Sequence, residues 1–145
     1  MLFRSEFEKA DLVIMAAAVS DHRPEAFSNR KWTKEEFPDQ LRMVRNPDIL
    51  KLLGEAKKEG QVLVGFAAET HDVLPSAKRK LADKKLDWIV ANDVSKSDCG
   101  FASDQNEVLL VGRNGFEKEI YLADKRVIAK EILHAIQSSW LEKAL

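Results

Sequence analysis

The chain has 145 residues, 45% of them hydrophobic and 32% charged, enough for one ordinary core and too few for two. Twenty-three basic residues stand against twenty-four acidic ones, a formal charge of -1, which excludes a general electrostatic attraction to nucleic acid or to an anionic membrane. Any anionic ligand must be held by locally placed groups, and a single domain over residues 1–145 is expected. Cys99 is the only cysteine, so no intramolecular disulfide can form. His22, His71 and His134 lie at no metal-ligand spacing from Cys99 or from one another, and no zinc site is expected. The longest apolar run, Leu12 to Val19, is far shorter than the roughly 20 residues of a membrane span. Met1-Leu2-Phe3-Arg4-Ser5-Glu6 lacks the pattern of a signal peptide, so a soluble cytoplasmic protein is expected.

In chain order, Leu12-Val13-Ile14-Met15 is the first of three short apolar runs that do not alternate with polar residues, the pattern of strands buried on both faces. The stretch from His22 to Gln40 holds Pro24, Pro38 and several charges with little periodicity. It is too long for an ordinary connection, and is either a functional flap or a surface loop. Asn46 as N-cap and Pro47 at the first helical position open a helix with the stripe Ile49, Leu52, Leu53 and Ala56. The second run, Val62-Leu63-Val64-Gly65-Phe66, is followed by a helix with Leu74, Ala77 and Leu81 on one face, then by the third run, Trp88-Ile89-Val90. This alternation predicts an α/β domain with right-handed crossovers. After Asn92 a polar loop containing Gly100 leads to Glu107–Val111 and Lys118–Tyr121, joined through Arg113-Asn114-Gly115 as a hairpin. A last helix from about Asp124 carries Ile128, Ile132 and Ile136.

Ligands of open α/β sheets bind beyond the carboxyl ends of the strands, so the residues after each run matter most. The first run ends Ala16-Ala17-Ala18-Val19-Ser20-Asp21, small side chains that let a ligand approach the backbone; tight packing and a turn aspartate account for them equally. The second ends Phe66-Ala67-Ala68-Glu69-Thr70, where Phe66 either stacks on a base or fills the core. The third ends Ala91-Asn92-Asp93-Val94-Ser95, a polar cluster that a capped turn also explains. Asn46 and Pro47 mark a helix N-terminus suited to a phosphate, or simply a cap. Lys84 projects into the apolar sector of Val73, Leu74, Ala77 and Leu81, with Lys80 at its border; a lysine there snorkels or meets an anion. No Ser-His-Asp order, Walker loop or dinucleotide fingerprint is present.

Five stretches, read together, resemble a known family: Ala16–Pro24 (AAAVSDHRP), Asn46–Leu50 (NPDIL), Val64–Thr70 (VGFAAET), Leu86–Ser95 (LDWIVANDVS) and Gly100–Val108 (GFASDQNEV). Their order and spacing are similar to the phosphopantothenate-cysteine ligase domain, which in many bacteria is fused behind a flavin-dependent decarboxylase. The resemblance implies a Rossmann-like, mainly parallel sheet with flanking helices and a C-terminal β-hairpin. It implies that 4'-phosphopantothenate attacks CTP, or ATP in its place, with Mg2+, and that cysteine then displaces the nucleotide to form an amide. FMN belongs only to the fused decarboxylase domain. Carried over by position, Ala16, Ala17, Ala18 and Asp21 belong to the nucleotide and pantothenate pocket, Asn46, Pro47, Asp48, Ile49 and Phe66 surround the nucleotide, and Lys80 and Lys84 contact it. The family's flap begins with a Lys-x-Lys-Lys motif whose first lysine supports acyl-nucleotide formation. Here it reads Lys31-Trp32-Thr33-Lys34, which keeps Lys31 as the catalytic lysine, keeps Lys34 and replaces the middle lysine by Thr33. The family's first βαβ portion has no counterpart before Met1, so an incomplete ligase domain is expected, completed by a missing N-terminal segment or a fused flavoprotein. A homodimer is also expected. The other reading is a non-catalytic, dimerising nucleotide-binding module.

Overall fold

A computed structural model describes residues 2–95 and 104–143 of the chain. Cys99, the loop around Gly100 and the start of the fifth stretch lie outside the described residues. The chain forms two compact units, one of residues 1–16 and 50–145 and one of residues 17–49.

The first unit is a five-stranded sheet in the order β1-β4-β5-β6-β7. Strands β1 (Leu12–Met15), β4 (Val62–Glu69) and β5 (Trp88–Asp93) are parallel, and β6 (Gln105–Gly112) and β7 (Glu117–Asp124) complete it antiparallel. Helices α1 (Leu2–Phe7), α2 (Ile49–Ala56), α3 (Val73–Asp83) and α4 (Lys125–Lys143) flank it, as the α/β expectation requires. The hairpin turn falls at Asn114-Gly115, where Gly115 adopts a φ of 85° and its N–H bonds the Gly112 carbonyl at 3.1 Å. A positive φ there is cheap only for glycine.

Alternation along the strands sorts the core into two layers. Val64, Trp88, Val90, Leu110 and Ile120 form one face and cluster with Ile128, Ile132 and Ile136, the predicted stripe of α4. Each such aliphatic side chain contributes about 1.5–3 kcal/mol by leaving water. The opposite face carries the buried Leu63, Gly65 and Ile89, with Ala77 and Leu81 of α3 buried on the same side of the chain. Gly65 has no room for a side chain, since a Cβ would stand 2.7 Å from Leu50 Cδ2 and 2.8 Å from Leu86 Cδ1.

Two local expectations are corrected. The buried face of α2 is Leu50, Leu53 and Gly54, while Leu52 is exposed, because Gly54 lies against the Lys84 carbonyl at the end of α3 and that contact sets the helix's rotation. Strand β1 is an edge strand, half-buried, with Ile14 exposed, and is not covered on both faces as β4 and β5 are.

The amino edge of the sheet is stapled by Asp87. Its Oδ2 accepts from the Leu63 N–H at 2.9 Å and from Lys57 Nζ at 2.5 Å, and Lys57 also bonds the Lys85 carbonyl. The Asp87 backbone exchanges bonds with Leu63 and Arg113, so every polar group of this buried aspartate has a partner.

The second unit holds a two-stranded antiparallel sheet, β2 (His22–Pro24) against β3 (Met43–Arg45). The long segment is therefore an excursion from a paired base. The Glu25 N–H bonds the Arg42 carbonyl at 2.8 Å, and the two side chains pair at 3.3 Å.

Candidate functional site

The carboxyl edge of β4 and β5 differs from the stapled amino edge. Both strands run three residues further than their apolar runs, to Glu69 and Asp93, so Ala67–Glu69 and Ala91–Asp93 are still sheet. They run on because the ladder continues in register, Ala67↔Ala91, Ala68↔Asn92 and Glu69↔Asp93, whatever the polarity of the side chains.

Phe66 follows three buried residues of β4, yet is 41% exposed. It is not a core phenylalanine. Alternation places Phe66, Ala68 and Asn92 on the same face of the sheet, and Asn92 pairs in turn with Val108. The Asn92 Oδ1 is buried and, among the described residues, has no hydrogen-bond partner. An unpaired buried acceptor costs about 1–3 kcal/mol, and a donor from a ligand recovers it. Asn92 was visible in sequence only as one member of a polar cluster; its burial requires the neighbouring strands.

On the opposite face, Lys80 Nζ lies 2.6 Å from Glu69 Oε1, with the Glu69 side chain 12% exposed and Lys80 36% exposed. Sequence spacing does not show this pair, eleven residues apart. Lys84 is the C-cap of α3, one turn further along, with its N–H bonded to the Lys80 carbonyl at 3.1 Å. Because α3 leaves the carboxyl edge, its last residue lies toward the amino edge, and the structure does not bring Lys84 to Phe66. At the end of β5 the Asp93 carboxylate accepts from the N–H and hydroxyl of Ser95 at 3.0 and 2.6 Å, closing a local turn. Ala16, exposed, follows the end of β1.

Within the second unit, Ala17, Ala18 and Asp21 are exposed, and the Asp21 carbonyl accepts from the Asn46 N–H at 2.8 Å. Asn46 is not the N-cap expected of it. Helix α2 begins at Ile49, which leaves Asp48 in the preceding position. The Asn46 amide instead donates to the Ser20 carbonyl at 2.8 Å and accepts from Arg23 Nη1 at 2.9 Å. It ties the two ends of the excursion together, and Pro47 and Asp48 follow it exposed, with Ile49 half-buried.

The middle of the long segment is organised by Glu36. Its carboxylate takes a two-pronged bond from Arg30, at 2.9 and 3.0 Å, and accepts the Thr33 N–H at 3.2 Å. These bonds, the Arg30 one foremost, hold the Glu36 carboxyl below its ordinary value. Trp32 packs edge-on against Phe37 with ring centroids 5.7 Å apart. Lys31 and Lys34 ride on this closed turn, both exposed.

Fold and edge together give an α/β protein whose sheet ends in an exposed aromatic, a buried amide oxygen without a partner among the described residues and an ion-paired lysine, at the edge where ligands of open α/β sheets bind. Residues 2–139 match the family described as the DNA/pantothenate metabolism flavoprotein C-terminal domain, and the chain belongs to that family. It is 44% identical over 132 residues, 91% of this chain and 32% of the relative, to the coenzyme A biosynthesis bifunctional protein CoaBC of Bacillus subtilis (strain 168). The same-named protein of Vibrio vulnificus (strain CMCP6) is 42% identical over 130 residues, 88% of this chain and again 32% of the relative. The solved C-terminal domain of a coenzyme A biosynthesis bifunctional protein CoaBC superposes with a TM-score of 0.76 at 33% identity, covering 97% of this chain and 60% of that one. The chain thus spans about a third of the length of the curated relatives it matches. Among the described residues no helix is long and apolar enough to cross a membrane, and no three His, Cys, Asp or Glu side chains stand together as a metal site.

Proposed function

We propose that this chain carries the nucleotide edge and flap of a phosphopantothenate-cysteine ligase site in the cytoplasm. The observation that carries the proposal is the placement, on one sheet face, of the exposed Phe66 ring and the amide oxygen of Asn92, which has no partner among the described residues. A base stacked on Phe66 presents its edge to that oxygen, which accepts from an exocyclic amine. Cytosine and adenine both carry such an amine; uracil does not. CTP is the proposed substrate, with ATP as the alternative. The likeness to CoaBC proteins, whose names assign them to coenzyme A biosynthesis, supports the same assignment here.

In the proposed reaction the phosphopantothenate carboxylate attacks the α-phosphorus of CTP, forming an acyl cytidylate and releasing pyrophosphate. The amine of cysteine then adds to the acyl carbon and expels CMP, leaving the amide. Ala16, Ala17, Ala18 and Asp21 are proposed to belong to the nucleotide and pantothenate pocket, with Asn46 to Ile49 around the nucleotide. Lys31 is assigned to the negative charge that develops on the phosphates, which a cation stabilises in the transition state. Mg2+ is proposed to arrive on the triphosphate oxygens, in keeping with its habit of binding through few carboxylates and substrate phosphates.

Calorimetry with CTP, ATP and UTP tests the reading. CTP binding that Asn92→Leu weakens roughly tenfold, with UTP giving no heat, is the expected result; equal affinity for all three would refute it. Pyrophosphate release with phosphopantothenate, followed by cysteine-dependent amide formation, tests catalysis. Binding of CTP without turnover in a chain restored with the family's N-terminal portion would favour the non-catalytic module. The exposed Tyr121 and Leu122 on edge strand β7 support the expected two-fold dimer, which sedimentation tests at high micromolar concentration.

A further inference from the structure

We infer that Glu69 is a positioning residue that holds the ammonium of Lys80 at the carboxyl edge of the sheet. This rests on the proposed contact between Lys80 and a nucleotide. Helix α3 starts beside that edge and its eleven residues carry it about 16 Å away. Lys80 stands in its last turn, on the α3 face of the sheet, while Phe66 and Asn92 occupy the opposite face. By backbone position alone Lys80 is remote from a ligand at Phe66.

Two features bring its charge back. Helical side chains lean toward the helix N-terminus, here toward the carboxyl edge. At the end of β4 the Glu69 carboxylate meets the ammonium at 2.6 Å. Glu69 is itself fixed: its carbonyl accepts the Val94 N–H at 2.8 Å, it pairs in register with Asp93, and its side chain is largely buried. A lysine has long, freely rotating arms, and without this anchor its charge would spread over the solvent side of α3. Lys80 keeps a third of its side-chain surface exposed, so an anionic ligand reaching the strand ends finds an ammonium with donors to spare beyond the one given to Glu69. A triphosphate whose base lies on Phe66 must round the strand ends, beside the small Ala67 and Ala68, to reach that charge on the other face.

The test has two arms on the 145-residue chain. In the first, a small amine-acylating reagent is applied without nucleotide and Lys80 is followed by mass spectrometry; Glu69→Gln should raise its labelling several-fold, about three- to tenfold, because a charge-assisted bond is lost. Unchanged labelling would overturn the positioning role whatever nucleotides do. In the second, CTP with Mg2+ is titrated by calorimetry. Lys80→Met and Glu69→Gln should each weaken binding by roughly tenfold, and the double variant should bind no worse than Lys80→Met alone. Additive losses would mean that Glu69 acts independently of Lys80, and tighter binding by Glu69→Gln would mean that it competes with the phosphates; either result overturns the inference. If Lys80→Met binds CTP as the parent does while the labelling arm responds, the nucleotide assignment of Lys80 fails and the ion pair stands as structural. Thermal unfolding of each variant controls for loss of fold.

Discussion

The two units are held together by different physics. In the first, Leu63, Val64, Val90 and Leu110 are fully buried in a five-stranded sheet, and the buried carboxylate of Asp87 is saturated with partners. In the second, between Ala17 and Ile49, the cohesion is polar: three residue pairs of ladder, the Asn46 ties, the Arg30–Glu36 fork and one aromatic contact. A region secured by burial resists local change, because each loss opens a cavity. A region secured by exposed polar bonds can rearrange at little cost, which suits residues meant to act on a ligand after it has bound.

The largest expected effect is in the first unit. Asp87→Ala strands Lys57 and the Leu63 N–H without their acceptor, and should cost about 3–5 kcal/mol in denaturant unfolding. A loss under 1 kcal/mol would show that the amino edge is not held by this pair.

Next comes Lys31→Ala in the second unit, which, in a chain restored with the family's N-terminal portion, should leave CTP affinity and unfolding nearly unchanged while lowering pyrophosphate release on the order of 10²-fold, since it removes a contact made mainly in the transition state. A variant with near-normal pyrophosphate release would return the segment to an ordinary surface loop. Smaller still, Trp32→Ala removes an edge-on ring pair of about 0.5–1.5 kcal/mol. Limited proteolysis should then cut faster within residues 25–42, with the unfolding midpoint of the sheet unmoved; a shifted midpoint would erase the proposed contrast between the units.

Acidification should separate them in the same sense. The Glu36 carboxyl lies below its ordinary value in the folded chain, so the order it confers is present above the usual carboxylate range and is lost as pH falls through its lowered value. Proteolysis of the flap should accelerate there, and Glu36→Gln should show the faster rate already at neutral pH. The smallest effect expected is from Thr33→Lys, which restores the family motif beside exposed Lys34 and adds a largely screened charge. CTP affinity should change less than twofold, about 0.4 kcal/mol.

Local periodicity determined much of this protein. Unbroken apolar runs became strands, Asn114-Gly115 became the hairpin turn, and Ile128, Ile132 and Ile136 became the buried stripe of α4, because backbone geometry repeats over a few residues and sequence shows that repeat directly. The words that mark the family were legible for the same reason, being contiguous. Only the tertiary structure decided how side chains far apart in sequence spend their polar groups. Asn46 looked like a cap until Arg23 and Ser20, more than twenty residues away, claimed its amide. Phe66 could stack on a base or fill the core until the sheet left its ring uncovered, and Lys80, at the border of an apolar sector, could snorkel or meet an anion until Glu69 met it from the neighbouring strand. A hydrogen bond is satisfied by whichever partner the fold brings within about 3 Å, and that choice is made by packing between elements.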